Sequence, residues 1–364
     1  MEEKLYEACS DGKVEEVIKL LQNSQININW QNYLGETPFY VACYNGHVDI
    51  VKLLLNDNRI DINKARNNGY TPFHTACEFD DIEVVKILLN DNRVDINKAD
   101  NNGSTPFLIA CFEGYIEIVK LLLNDNRVDI NKATNNGATP FESACLHGHI
   151  ELVKLLLNDK RVDINKATPF HSACWNGKTE VVKYLLESGK GIDINKKDKN
   201  EETPFYIACE KGHIKIVKLL LNDNRIDFNK GDNNGYTPFH TACYNGKTEM
   251  VKLLLKDKRF DLNKADNDGE TPFYSACQEG HIEIVKLLFH DNRVDINKAA
   301  NNSWTPFYSA CYRGHIEIVK LLLNDQRIDI NKTTKFGETP FLIACACGKT
   351  EVVKYLLESE REID

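Results

Sequence analysis

Proline is missing from this chain except in one setting: all ten prolines occupy the middle of a Thr-Pro-Phe triplet. A proline inside a helix or strand would break it, so the chain carries its strongest breaker in one recurring word only. Apolar runs such as Leu121-Leu122-Leu123 fall far short of the roughly 20 residues that a membrane-spanning helix needs, which argues against membrane insertion. There is no excess of positive charge: Lys and Arg number 45 against 54 Asp and Glu, a net charge of -9. Phosphate-chain binders carry a basic stripe, so nucleic acid is not expected as a partner. The start, Met1-Glu2-Glu3-Lys4, lacks the basic and apolar stretches of a secretion signal, and the expected location is cytoplasmic.

What is present is repetition. The triplet threonines are Thr37, Thr71, Thr105, Thr139, Thr168, Thr203, Thr237, Thr271, Thr305 and Thr339, at an interval of 34 residues except for 29 before Thr168 and 35 before Thr203. A period in this range means a solenoid in which each repeat touches only its neighbours. With 42% hydrophobic and 27% charged residues, the chain has enough apolar surface for a continuous core.

Each part of the unit has a mechanical reading. Thr37 can cap a helix by accepting from a free backbone N–H, and Pro38 suits the first helical position, where its missing donor is not needed. Phe39, Ala42, Cys43 and Gly46 follow at i, i+3, i+4 and i+7, giving one buried face with two small residues and a glycine stop. Val48 to Leu55 then reads as a second helix, apolar except for a stripe through Asp49, Lys52 and Asn56. Asp61-Ile62-Asn63-Lys64 and Asn67-Asn68-Gly69 predict a short alternating segment running into a tight hairpin.

The words Thr-Pro-Phe-x-x-Ala-Cys-x-x-Gly-His, Ile-Glu-Ile-Val-Lys-Leu-Leu-Leu, Asp-x-Asn and Asn-Asn-Gly resemble the ankyrin repeat, whose usual form is Thr-Pro-Leu-His-x-Ala-Ala-x-x-Gly. The resemblance covers essentially the whole chain and implies an all-α repeat solenoid, about eleven stacked helix-turn-helix-hairpin units forming a curved, elongated rod. Phe replaces Leu throughout, Cys replaces the second Ala, and the His after the triplet survives only as His74, His171 and His240.

Irregularities suggest four segments. Residues 1–33 read as an N-terminal capping repeat that keeps Leu5, Ala8 and Cys9 but has Glu2, Glu3 and Lys4 in place of the triplet. Residues 34–166 are regular, although Asp80-Asp81 replaces Gly-His. Residues 167–202 form an irregular repeat and seam with a missing hairpin, since no Asn-Asn-Gly precedes Thr168. Residues 203–364 are regular again, ending without an evident cap.

Eleven cysteines recur at one helical position: Cys9, Cys43, Cys77, Cys111, Cys145, Cys174, Cys209, Cys243, Cys277, Cys311 and Cys345. Stacked helices lie about 8–10 Å apart, whereas a disulfide needs Cα atoms within roughly 7 Å. The expectation is a column of buried, reduced thiols in a reducing compartment, with Cys347 outside it and exposed. The abundance of Asn, Lys and Ile reads as base composition of the gene.

No set of residues points to catalysis. Gly177-Lys178-Thr179, Gly246-Lys247-Thr248 and Gly348-Lys349-Thr350 resemble the end of a phosphate-binding loop, but Ser172, Thr241 and Ile343 stand where that loop needs another glycine. His47, His149, His213, His281 and His315 are one per repeat and read as structural, and His147-Gly148-His149 lacks further metal ligands. The chain therefore reads as no enzyme, with no cofactor and no metal.

The positions that vary between near-identical repeats resemble the finger tips and the exposed inner-helix ends that line a concave groove in the ankyrin fold. They supply Tyr44, Tyr70, Phe79, Phe112, Trp175, Tyr236, Tyr244, Glu270, Trp304, Tyr312 and Arg313 as candidate partner-binding residues, Tyr, Trp and Arg being the types that dominate hot spots. Within one repeat Tyr236 pairs with Tyr244 and Trp304 with Tyr312, favouring the C-terminal half over the looser set Tyr44, Tyr70, Phe79 and Phe112. Glu270 and Glu279 suggest a partner with basic residues. The reading is a monomeric protein-interaction scaffold or adaptor. The alternative is a recognition arm of a larger enzyme or channel assembly whose active part is absent from this chain.

Overall fold

The computed structural model describes residues 1–359 and 361–362, so residues 360, 363 and 364 of the last expected segment lie outside the described residues. Among these residues there are 22 helices and no strand, arranged as eleven pairs from Glu2–Ser10 with Val14–Leu21 to Pro340–Ala346 with Thr350–Leu357. They form two compact units, Met1–Ile192 and Asp193–Asp364, with six pairs in the first and five in the second.

The triplet starts each first helix as its chemistry dictates. Thr37 sits in extended backbone and its Oγ1 accepts from Tyr40 N at 3.0 Å, with Pro38 in the first turn. Phe39, Ala42 and Cys43 are fully buried behind it. In the second helix Ile50, Val51 and Leu54 are buried, while Asp49, Lys52 and Asn56 stay exposed. The i,i+3 ion pairs on such exposed stripes, Lys86 with Glu83 for example, contribute little to stability.

One first helix starts differently. Before Pro169 the finger is absent, Ala167 is forced to φ +59°, and Thr168 makes no side-chain cap bond. Glu142, one repeat earlier, holds this start to its own repeat instead: its Oε1 takes bonds from Thr168 N at 3.2 Å, Thr168 Oγ1 at 2.9 Å and Ser172 Oγ at 2.8 Å.

The expected hairpin is a closed turn without strands. Gly69 N donates to Arg66 O and Arg66 N to Tyr70 O, and the finger is too short to extend this ladder. Neighbouring fingers are joined through Asn67, whose backbone N donates to Leu34 O and whose Nδ2 donates to Tyr33 O, both at 3.0 Å. Gly69 adopts φ +90°, and a Cβ there would lie 2.7 Å from the backbone nitrogen of Asn101 in the next finger. Two independent constraints thus require glycine.

The asparagines are more than a compositional bias. Asn63 Nδ2 donates to Arg93 O at 2.7 Å while its Oδ1 accepts from Asp95 N at 2.8 Å, and Asn97 and Asn263 repeat the arrangement on the repeats that follow them. An amide presents one donor and one acceptor side by side, which matches a backbone segment. Arginines form a second joint. Arg93 is held by Asp91 and donates from Nη2 to Leu55 O at 2.9 Å, a carbonyl at the end of the preceding second helix that lacks an intrahelical partner.

All twelve cysteines are free, and ten are buried. Cys345 corrects the expected column: it is exposed together with Cys347. The hexapeptide Pro106-Phe107-Leu108-Ile109-Ala110-Cys111 recurs as Pro340 to Cys345, yet Cys111 is fully buried under the next repeat whereas none of the described residues covers Cys345.

Candidate functional site

Two sets of positions define the candidate surface: the last residue of each finger, just before the Thr cap, and the one or two residues after the buried Cys, where the first helix emerges from the stack.

In the N-terminal unit Tyr44 and Phe79 are 43% and 46% exposed, and their rings meet edge to face with centroids 4.7 Å apart. Phe112 packs on His147 at 4.1 Å. In both pairs the residue one after the Cys meets the residue two after the Cys of the next repeat. This cross-repeat register joins Tyr44 to Phe79 and Phe112 to His147, contacts that a reading within one repeat does not contain. Trp175, 42% exposed, occupies the equivalent position at the end of its helix.

Tyr70 is held from two sides. Its ring stacks on His74 at 5.1 Å, and the Arg66 guanidinium lies over both Tyr70 and Tyr40. His74 is fixed in turn, accepting from Thr71 N at Nδ1 and contacting Ser104 O through Nε2 at 3.0 Å. Burial pushes its pKa down to about 4, so it serves as a neutral brace.

The C-terminal unit brings together the pairs expected within one repeat. Tyr236 lies 5.7 Å from Tyr244 and 4.5 Å from His240. Trp304 lies 5.1 Å from Tyr312 and 4.9 Å from Tyr308, and Arg313 covers the Tyr312 ring. Glu270 sits on the finger between these pairs, and its pKa is pushed up to about 7, first by burial and then by the charges of Asp266, Asp268 and Glu279, against the pull of Arg313.

Finger-tip glutamates do not all share this situation. Glu36 accepts from Tyr6 Oη at 2.8 Å and Asn32 Nδ2 at 2.9 Å and pairs with Arg66 at 3.6 Å. Glu338 accepts from Tyr308 Oη at 3.1 Å. Glu202 has its Oε2 buried without a hydrogen-bond partner, and burial with the nearby charges of Asp198, Glu210 and Asp232 pushes its pKa up to about 7.

The histidines after glycine work between repeats. His47 Nε2 contacts Ser10 O at 2.9 Å, and His149, His281 and His315 reach the carbonyls of Phe112, Tyr244 and Gln278. His147 Nδ1 bonds to Ser143 O, so it and His149 are engaged with backbone. One Ser–His contact escaped the sequence, because its members lie 35 residues apart: His240 Nε2 is 2.6 Å from Ser275 Oγ. Both are fully buried, which denies this pair a substrate.

A family model described as ankyrin repeats (3 copies) matches residues 5–100, 92–168, 158–232, 224–300 and 292–364. No curated protein matches the chain. No described helix is long and apolar enough to cross a membrane.

Proposed function

The chain belongs to the ankyrin repeat family, and from that premise we propose that it is a non-catalytic protein-interaction scaffold or adaptor. Its partner lies against the finger tips and first-helix ends, at Tyr44, Tyr70, Phe79, Phe112, Trp175, Tyr236, Tyr244, Glu270, Trp304, Tyr312 and Arg313. The observation that carries this reading is the shared register of the exposed aromatics: Tyr44, Phe112, Trp175 and Tyr244 directly after the buried Cys, and Phe79 one residue further on, are each 40–46% exposed. Large rings that stay half in water while an otherwise identical core is closed are what a protein-binding surface offers. Ankyrin repeats are typical protein-binding modules, and only these repeats are detected.

Twelve free thiols support residence in a reducing compartment, the cytoplasm being the simplest. The test is affinity capture from native extract with the wild-type chain and with a Tyr244→Ala/Trp304→Ala variant whose circular dichroism is unchanged. A protein retained by the first and lost by the second supports the reading. Retention by both moves the site off the C-terminal aromatics.

A further inference from the structure

The finger tips of the C-terminal unit alternate. Reading the residue before each Thr cap gives Glu202, Tyr236, Glu270, Trp304 and Glu338, acid and aromatic in strict turn. The N-terminal unit gives Glu36, Tyr70, Ser104 and Ala138, with one acid only, already paired to Arg66.

Adjacent fingers are joined directly by backbone: Asn267 N donates to Asn234 O at 2.9 Å, and Asn301 N to Asp268 O at 2.8 Å. Each finger carries two backbone runs, and hydrogen-bonded runs lie about 4.8 Å apart, so successive tips are about 10 Å apart. The two acids Glu202 and Glu270 are then about 20 Å apart, the span of about six residues of polyproline II chain, whose three residues per turn keep every third side chain on one face.

Their charge is only weakly compensated, by Lys211 near Glu202 and Arg313 near Glu270. Among the described residues Glu270 has no ion pair or hydrogen bond to its carboxylate, and Arg313 is the cation that acts on it. Glu202 keeps Oε2 buried and unpartnered. Partly buried carboxylates without a counter-charge weaken a fold, and the same register position elsewhere is satisfied by Tyr and Arg.

We propose that this row binds a basic polypeptide segment in polyproline II conformation whose cationic side chains, about six residues apart, meet Glu202 and Glu270 while apolar residues midway between them pack on Tyr236 and Trp304. The proposal rests on the reading that the surface takes a protein partner, and it adds the partner's charge, conformation and register. A guanidinium or ammonium arriving at Glu270 would lie beside the Tyr236–Tyr244 and Trp304–Tyr312 ring pairs, whose faces attract cations.

The experiment uses the full chain and two fluorescein-labelled synthetic peptides of equal composition, followed by anisotropy. One has Arg at positions 1 and 7 and Leu at positions 4 and 10 of a Ser/Thr background. The other has its two Arg adjacent and its two Leu adjacent. The in-register peptide is expected to bind at least tenfold tighter, to lose about tenfold in affinity with E270Q and again with W304A, and to weaken as salt rises.

Equal binding of the two peptides, or full affinity in folded E270Q, overturns the register. Binding of neither peptide overturns the basic partner. These failures are separable from failure of the scaffold reading, because a captured protein lost on Tyr244→Ala/Trp304→Ala can still be found when neither peptide binds.

Discussion

Glu142 Oε1 lies 2.9 Å from Thr168 Oγ1 and 3.2 Å from Thr168 N, so a side chain from one repeat anchors the next helix start, where no finger precedes it. In Glu142→Ala three donors at the start of the Pro169–Trp175 helix, Thr168 N, Thr168 Oγ1 and Ser172 Oγ, lose their acceptor at once. The expected loss is about 1–3 kcal/mol in urea denaturation. Glu142→Gln, which keeps an acceptor oxygen, should lose less. A Glu142→Ala chain as stable as wild type would show that water replaces the carboxylate at no cost.

Backbone strain predicts opposite outcomes at two equivalent turn positions. Ser303 stands at φ +70° where most other fingers carry glycine, a region that costs a side chain about 1 kcal/mol or more. Ser303→Gly should therefore stabilise, by about 1 kcal/mol at most because glycine loses more entropy on folding. Gly69→Ala should destabilise by more than that, since its Cβ would also press on the Asn101 backbone at 2.7 Å. Thermal melts of the two variants should move in opposite directions.

Thiol accessibility should divide the cysteines into ten and two. Native protein treated with a maleimide is expected to gain two labels, at Cys345 and Cys347, because the other ten are buried and burial pushes thiols such as Cys243 well above the usual range. Cys243→Ser should cost on the order of 1–3 kcal/mol if its hydroxyl finds no partner, and Cys347→Ser almost nothing. Mass spectrometry of native protein showing more than two labels would break the assignment.

Glu270 makes stability depend on pH. Its folded pKa, about 7, lies above the ordinary 4.5, so the folded state keeps the proton longer than the unfolded one does. That contribution is complete below about pH 4.5 and is lost as pH rises through 7. The charged groups facing it are Asp266, Asp268, Glu279 and Arg313. Glu270→Gln should thus melt higher than wild type at pH 8, with the difference shrinking toward pH 4.5. A variant that melts lower at pH 8 would mean that the carboxylate is stabilised as an anion.

The helix pairs were legible because their causes are local: Thr37, Pro38, Phe39, Ala42 and Cys43 cap, start and bury one helix within seven residues. The candidate aromatics of the C-terminal unit were legible for the same reason, since Tyr236 and Tyr244 belong to one repeat. What could not be read lies about one period away. Asn63 finds its partners at Arg93 and Asp95, Arg93 finds Leu55, and Tyr44 finds Phe79. In a linear reading these look like composition or drift, because nothing within the repeat explains them. Cys345 misled by the converse route: its own hexapeptide matches that of the buried Cys111, and only the absence of a covering neighbour among the described residues sets it apart.

The Asn63 amide reads the carbonyl of Arg93 and the N–H of Asp95, groups that every repeat presents whatever its side chains. A joint of that kind does not record which neighbour it was made for. Whole periods could be copied in or dropped from the gene and the new junction would close with the old chemistry, so the length of the array, and with it the reach of its binding row, is free to change in single inherited steps.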